Sequence, residues 1–384
     1  MASPPGKKRI LAALHFATVA VFADLYITQP ILPVLSREFG VAPATAGLTV
    51  SAVVVVVAFV SSAYGSLSDR VGRKPVMVAS CALLAAPTLL CALAPGFRSL
   101  VFFRALQGLF IPGFTAIAVA YIGDHFAPGE VGPAVGGWIA ASVTGGLVGR
   151  VLSGFVADAF GWRTSFVAFG VLTLAGAVAI GKFLPGGPSM HRAEGVGSAP
   201  GRFGHLADRR LLGAFLIGGC CFFAFIGVFT YLPYYLSAAP FGLSTAAVSS
   251  VYVVYLAGVV ASLATARLSR RVHGRILMAT GLGVAAFGVA GTLVKSLPGI
   301  VFSLVVLCVG MFIVQATAPA FVNLNASTGK GAAGALYTTF YYVGATLGSV
   351  LPGFAWQHGA WPGVTLVCVA SLGVGLLADW LLCG

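Results

Sequence analysis

Long apolar runs with few charged residues recur along the whole chain. Of its 384 residues, 59% are hydrophobic and 8% are charged, whereas soluble domains are roughly 45–50% apolar and about 25% charged. Each run is close to, or longer than, the about 20 residues that a helix needs to cross a bilayer. We therefore predict an all-α integral membrane protein whose twelve transmembrane helices cover residues 10–34, 45–67, 75–94, 99–123, 132–157, 164–184, 211–236, 245–267, 275–294, 299–324, 332–356 and 361–382.

The basic residues are distributed unevenly between the two sides of this predicted helix array. The formal net charge is +13, and most Lys and Arg residues fall in the segments 7–9, 70–74, 182–210 and 267–275. Counting helices from the N-terminus places these segments on the same side of the membrane. Because Lys and Arg are retained in the cytoplasm, we predict a multi-pass protein of the plasma (inner) membrane with both termini cytoplasmic. The positive charge therefore indicates orientation in a lipid bilayer and no nucleic-acid partner.

A segment rich in Gly, Pro and basic residues separates two groups of six predicted helices. This segment, 185–210, cannot form a core of its own, and we interpret it as a cytoplasmic linker. It divides the chain into an N-terminal bundle, 1–184, and a C-terminal bundle, 211–384. The second group repeats the first at a shift of about 202 residues, so that 67–71 matches 268–272. Two parallel halves of this kind are typical of one large class of secondary transporters.

The residues that usually form metal or catalytic sites are scattered in this sequence. The seven cysteines fall within or at the ends of predicted helices, and no His or carboxylate accompanies them at metal-ligand spacing. A membrane-embedded enzyme requires clustered His, Asp or Glu residues, whereas Asp24 is the only acid near the centre of a predicted span. We therefore expect no enzyme activity, no catalytic residues, no metal and no cofactor.

Three motifs in the first half resemble those of a known family. The first is Gly-x-Leu-x-Asp-Arg-x-Gly-Arg-Lys-Pro at 65–75, the second is Arg-x-x-Gln-Gly at 104–108, and the third is the glycine pattern within 136–154. Together they resemble the major facilitator superfamily and, within it, the twelve-helix drug/proton antiporter branch. The resemblance implies the major facilitator fold, with two pseudo-symmetric six-helix bundles. In the third motif, Arg150 stands where the family usually has Pro.

The resemblance also implies a conformational latch, formed by Gly65, Asp69, Gly72 and Arg73 of the segment 65–75 together with Asp124. By similarity, Asp69 interacts with the N-terminus of predicted helix 11, where unpaired backbone N–H groups stabilise a carboxylate. Arg73 pairs with Asp124 at the end of predicted helix 4. The other interpretation is a turn that anchors topology. Retention of basic residues in the cytoplasm explains the Arg and Lys of this segment but not Asp69.

Asp24 and Arg104 are the predicted proton-coupling residues. A lone carboxyl group inside a span costs about 2.5–3.5 kcal/mol on insertion scales and is a functional hypothesis by default. Burial favours its protonated form, which suits a group that loads and releases a proton. Arg104 and Arg150 are the two cations predicted within spans, and each is expected either to pair with Asp24 or to bind an anionic substrate. An acid facing a water-filled crevice remains the alternative for Asp24.

Polar and aromatic side chains on several predicted helices suit a cavity for a small ligand, because such pockets are mostly apolar with few polar groups. The predicted cavity residues are Tyr26, Gln29, Gln107, Trp138, Arg150, Tyr231, Tyr234, Tyr255, Gln315 and Tyr341. Tyrosine is also common at membrane interfaces, so packing is the alternative for each one.

These observations predict a monomeric secondary active transporter that exports a small, largely apolar compound or drug in exchange for protons, by alternating access. Three alternatives remain: proton-coupled uptake of a sugar or metabolite, efflux of a sugar or metabolite, and, from a different class, a lipid flippase.

Overall fold

The computed structural model describes residues 5–186, 204–326 and 329–384, so most of the predicted linker 185–210 lies outside the described residues. Within these ranges the chain forms helices and no strand. The α-helices are α1 (Pro5–Tyr26), α2 (Leu32–Phe39), α3 (Pro43–Ala46), α4 (Leu48–Val71), α5 (Arg73–Ala92), α6 (Phe97–Phe110), α7 (Pro112–His125), α8 (Pro128–Phe160), α9 (Trp162–Phe183), α10 (Arg209–Ser237), α11 (Thr245–Ser250), α12 (Tyr255–Leu268), α13 (Gly274–Gly291), α14 (Leu297–Asn325) and α15 (Lys330–Leu382).

Eleven helical stretches of the described chain are long and apolar enough to cross a membrane. A helix suits such a sequence because it satisfies its own backbone hydrogen bonds in a medium that offers none. The last stretch, α15, has 53 residues but is not continuous: Ala360 has φ 46° and ψ −136°, which is not helical. The helices on either side of Ala360 each exceed the length that a span requires.

Prolines divide two of the predicted spans. Pro30 lies in a single 3-10 turn, Gln29–Ile31, between α1 and α2. Pro112 is the first residue of α7 and separates it from α6. Proline has no N–H group to donate and its ring clashes with the preceding turn, so the helix direction changes most easily there. By contrast, α14 and α15 continue through Pro319 and Pro352.

The charged segment 65–75 forms a turn that is tighter than the predicted span ends at 67 and 75 indicate. Helix α4 continues to Val71, and α5 begins at Arg73, so only Gly72 lies outside the helices. Gly72 has φ 101°, a conformation that costs glycine little and other residues more. The tight reversal therefore needs one residue, and the polar residues before it complete the last turns of α4.

The first of two compact units contains residues 5–34, 52–186 and 244–249. In this unit α1 packs against α8 and α9, and α5 packs against α6, α7 and α9. The segment 244–249 joins the unit at the end of α8, where the Thr245 backbone N–H donates a hydrogen bond to Asp158 Oδ1 (3.2 Å).

The second unit contains residues 35–51, 204–243, 250–326 and 329–384. Helix α10 packs along α15, while α14 packs against α12 and α13. The segment 35–51 belongs to this unit through α3, which packs on α15. A hydrogen bond of 2.6 Å between Ser36 Oγ and Tyr234 Oη adds to this contact.

Candidate functional site

A carboxyl group lies buried among neutral polar side chains in the first unit. Asp24, in the last turn of α1, has 0% exposure. Its Oδ1 accepts a hydrogen bond from Gln107 Nε2 (3.0 Å), and its Oδ2 lies 2.5 Å from Thr88 Oγ1. Helices α1, α5 and α6 thus meet at one carboxyl group. Both of its oxygens have partners, which offsets the cost of burying a polar group away from water.

Arg104 binds the backbone at the end of α1. Its Nη1 donates to the Asp24 carbonyl (3.1 Å) and to Gln107 Oε1 (2.6 Å), and its Nη2 donates to the Leu25 carbonyl (2.8 Å). The last carbonyls of a helix have no partner within it, so the guanidinium group satisfies two of them. Arg104 therefore holds the end of α1, and Gln107 connects it to the Asp24 carboxyl group.

Arg150 contacts two of the predicted cavity residues, Gln29 and Tyr26. Its Nε donates to Gln29 Oε1 (2.6 Å), and its Nη1 donates to the carbonyl of Gly146, one turn earlier on α8 (2.7 Å). The guanidinium carbon lies 3.8 Å from the centroid of the Tyr26 ring, a cation–π geometry. Arg150 is only 3% exposed. The interior of the first unit thus contains a second polar cluster, formed by Arg150, Gln29 and Tyr26. Two of its residues, Tyr26 and Gln29, follow Asp24 closely in the sequence.

Two of the predicted latch residues form an ion pair, and two others are exposed on α4. Arg73, the first residue of α5, forms an ion pair with Asp124 in the last turn of α7, with 2.7 Å between Nη1 and Oδ2. Asp69 is exposed in the last turn of α4. Gly65 is an exposed residue inside α4, and a Cβ added there would meet nothing within 4 Å. The structure therefore brings Arg73 and Asp124 together and offers no packing reason for glycine at 65.

Trp138 is half-buried on α8 and packs against α1. Its ring meets Phe22 edge to face, with centroids 6.2 Å apart and an interplanar angle of 76°. This contact accounts for the tryptophan as a packing residue between two helices.

Two predicted cavity residues of the second unit are hydrogen-bonded to each other. Gln315 Nε2 on α14 donates to Tyr341 Oη on α15 (2.9 Å). The Tyr341 ring stacks on Phe222 of α10, with centroids 3.7 Å apart. Gln315 is exposed and Tyr341 is partly exposed, so this pair has surface to offer a ligand.

The other predicted tyrosines make contacts within the second unit. Tyr231 is fully buried and its hydroxyl donates to the Ser349 carbonyl (2.8 Å). Tyr234 shares its hydroxyl with Ser36, as described above. Tyr255 is buried, and its ring lies 4.6 Å from that of Phe229. These geometries favour packing, the alternative that the sequence leaves open for each tyrosine.

Thr88 is the residue of the Asp24 cluster that sequence reasoning missed. It lies 64 positions from Asp24 in the chain. The helix that carries it, α5, has one other predicted site residue, Arg73, at its start. A lone threonine within an apolar run carries no recognisable signal. The one hint is its position directly after Pro87, where the carbonyl pattern of a helix is disturbed.

The described residues contain no group of three His, Cys, Asp or Glu side chains that could hold a metal ion. All seven cysteines are free, and six of them are buried. Burial in an apolar interior is the ordinary environment of an unreactive cysteine.

Apolar helices of membrane-spanning length, with charged and polar clusters buried between them, indicate a multi-pass membrane protein. The chain belongs to the Major Facilitator Superfamily, whose family model matches residues 14–349. Its members are transporters and not enzymes. The prediction of an all-helical membrane protein of this superfamily is thus confirmed.

Two curated relatives cover nearly the whole chain. The chain is 33% identical over 377 residues to the inner membrane transport protein YnfM of Escherichia coli (strain K12), covering 97% of this chain and 90% of the relative. It is 30% identical over 381 residues to the uncharacterized MFS-type transporter YybF of Bacillus subtilis (strain 168), covering 98% and 93%.

Solved structures show the same fold at low sequence identity. A bacterial homologue of the human lysosomal transporter Spinster, in an inward-facing and occupied conformation, matches with a TM-score of 0.80 at 18% identity, covering 99% of this chain and 96% of that one. A mutant form of the nucleoside transporter NupG matches with a TM-score of 0.81 at 13% identity, covering 97% and 98%. At such identities the likeness concerns the fold alone.

Proposed function

We propose that this transporter is a proton-coupled antiporter that exports a small, largely apolar compound by alternating access. The observation that carries the proposal is the Asp24 carboxyl group, which is fully buried inside a membrane-spanning helix and bonded to two neutral side chains. Titratable groups in such positions are rare and mark ion or proton pathways.

The hydrogen bonds around Asp24 suit both of its protonation states. When the carboxyl group is ionised, Thr88 donates its hydroxyl proton to Oδ2, and Gln107 donates to Oδ1. When Oδ2 carries a proton, Thr88 can turn its own proton to the Leu84 carbonyl, which lies 2.9 Å from Oγ1, and accept from Asp24. A proton can thus be gained or lost without leaving a buried group unpaired, which is otherwise costly.

Arg104 supplies a route from the carboxyl group to the helix backbone. Its guanidinium group contacts Gln107 and the last carbonyls of α1. Protonation of Asp24 weakens the hydrogen bond from Gln107 Nε2 to Oδ1, because an ionised acceptor binds more strongly, and through Gln107 Oε1 this alters the bonds that Arg104 makes to α1. We propose that proton loading shifts the end of α1 in this way. The proton gradient then supplies about 2.3 kcal/mol per charge per 100 mV.

We also propose that the chain has twelve membrane spans and lies in the inner membrane with both termini in the cytoplasm. The break at Ala360 supports twelve spans, because it divides α15 into two helices that are each long enough. The uneven distribution of basic residues supports cytoplasmic termini. The likeness to an inner membrane transport protein supports a location in the inner membrane.

The chain is proposed to act as a monomer, with Arg150, Gln315 and Tyr341 among its substrate contacts.

Dye dequenching in inverted vesicles tests the proton role. The vesicle lumen is made acidic, and candidate compounds are added outside. An exporter exchanges them for luminal protons, so the wild type should release protons and Asp24→Asn should lose most of this release, since it has no carboxyl group to load. Asp158→Asn, which neutralises an exposed acid of the same unit, is the matched control and should behave as the wild type.

Other outcomes separate the alternatives. Equal release by Asp24→Asn and wild type would remove Asp24 as the proton carrier. A compound that enters cells together with protons would not discharge the acidic lumen when added outside, so transport without dequenching would contradict antiport.

A further inference from the structure

The second unit contains a cavity of about 740 Å³. It lies where α12 ends and α13 and α10 begin, against the ends of α14 and α15. Three basic side chains line it: Arg210, His273 and Arg275. The cavity is distinct from the Asp24 and Arg150 clusters, which belong to the first unit.

The surroundings of the cavity are strongly positive. Three exposed arginines lie at the end of α12 and in the turn after it: Arg267, Arg270 and Arg271. Two acidic side chains lie nearby and both have partners. Asp379 pairs with Arg275 Nε at 3.4 Å, and Asp208 accepts from two backbone N–H groups at the start of α10. The basic side chains outnumber these acids, so the site attracts anions.

The walls of the cavity are largely apolar. Val272, Ala320, Phe321 and Leu324 line it together with the polar residues. Leu324 is 84% exposed, on a helix that is long and apolar enough to span the membrane. A small inorganic anion gains nothing from such walls. An amphipathic anion gains from both the basic and the apolar surfaces.

The internal repeat explains why an arginine is available here. Arg275 matches Arg73 at the shift of about 202 residues, and Asp124 falls on Ala326 at the same shift. In the first unit the acid of α7 meets Arg73 at 2.7 Å. The second unit has alanine at that position, and Arg275 takes a longer contact to Asp379 on α15 instead. The second half therefore lacks the acid that pairs with the arginine in the first half, and Arg275 lines a basic cavity.

We propose that this cavity binds the phosphate headgroup of an anionic phospholipid. Arg210 and Arg275 contact the phosphate as charge-assisted donors. The N–H groups at the start of α13, which follows His273 as its N-cap residue, add to the favourable field. The apolar wall takes the first methylene groups of the acyl chains. Anionic lipids are attracted to juxtamembrane basic segments in the same way.

The test uses the purified full-length chain in detergent, titrated with phosphatidylglycerol or, separately, with phosphatidylcholine. Phosphatidylglycerol should raise the thermal unfolding midpoint in a saturable way, because a ligand that binds the folded state stabilises it. Arg210→Gln should weaken the apparent affinity at least about tenfold, since hydrogen bonds to charged groups are strong. Ala320→Trp should abolish the shift by filling the cavity without changing charge. Arg98→Gln removes an exposed charge in the first unit and should leave the shift unchanged.

Native mass spectrometry of the same samples counts the retained lipid, so the proposal remains testable if one variant unfolds easily. Phosphatidylglycerol adducts should persist in the wild type and Arg98→Gln and be largely lost in Arg210→Gln and Ala320→Trp. Equal shifts and equal adducts in all four proteins would overturn the site. An equal shift with inorganic phosphate in phosphatidylcholine would overturn the lipid as its ligand.

Discussion

Arg73 and Asp124 form an ion pair in the first unit that is more buried than the pair of Lys7 and Glu130. Their side chains are 12% and 7% exposed, and 2.7 Å separates the guanidinium and carboxylate groups. The pair joins the first residue of α5 to the last turn of α7. Breaking a buried pair leaves one uncompensated charge, which costs more than the intact pair contributes.

We therefore expect Arg73→Gln and Asp124→Asn each to lower the free energy of unfolding by about 3 kcal/mol. The double variant should lose less than the sum, because neither charge is then left alone. Thermal unfolding of the purified proteins in detergent measures all three values. Lys7→Gln, which breaks the more exposed pair with Glu130 at 2.7 Å, should change stability little. Strictly additive losses would contradict the coupling.

Helices α1 and α8 approach closely at two glycines. A Cβ at Gly145 would lie 2.6 Å from the Val19 carbonyl oxygen, and one at Gly149 would clash with the Ala23 carbonyl. Small residues permit such approaches in membrane bundles, where packing has to replace the hydrophobic effect. Ala23 directly precedes Asp24, and Gly149 directly precedes Arg150. The two glycines therefore fix the distance between the helices that carry both polar clusters.

Gly149→Ala should consequently cost about 1–3 kcal/mol, a typical penalty for overpacking, and should also impair transport by displacing α1. Gly136→Ala is the matched control on the same helix, because a Cβ there meets nothing within 4 Å. Its stability should be unchanged or slightly higher, since alanine favours helices over glycine. Unfolding midpoints and vesicle transport measure both effects. Equal behaviour of the two variants would rule out the close approach as the reason for glycine at 149.

At the scale of the whole molecule, the distribution of basic residues predicts the orientation of the chain in the membrane. The chain carries 22 Lys and Arg residues against 9 Asp and Glu residues, and the basic ones concentrate in the segments of the predicted cytoplasmic side. The positive-inside rule depends on these residues and not on net charge.

Surface labelling checks this orientation. Ala207→Cys and Arg98→Cys each add one thiol at an exposed position, on the predicted inner and outer side respectively. A membrane-impermeant maleimide added to intact cells should label Arg98→Cys and should label Ala207→Cys only after the cells are opened. The wild type gives the background, which should be low because six of its seven cysteines are buried. The reverse labelling pattern would contradict cytoplasmic termini.

The sequence by itself determined which segments are helical and the nature of the family. A run of about twenty apolar residues has the length of a spanning helix rather than of a spanning strand, and a helix satisfies its backbone hydrogen bonds within the segment, so length and composition are sufficient. The motifs at 65–75 and 104–108 identified the superfamily, and the resemblance correctly paired Arg73 with Asp124 in space. At 65–75 the sequence predicted the turn, and the structure differs only in where α4 ends and α5 begins.

Tertiary structure alone decided which side chains meet. Asp24 and Thr88 are 64 residues apart, and Gln29 and Arg150 are 121 residues apart. A helix that is apolar on all faces gives no periodic signal for its rotation about its own axis. The sequence therefore selected Asp24, Arg104 and Gln107 as polar residues in lipid, but it left open whether Arg104 pairs with Asp24 or binds an anionic substrate. The packing of α1 against α5 and α6 assembles the Asp24 cluster, and the packing of α1 against α8 assembles the Arg150 cluster. The packing of α10 against α15 buries Tyr231.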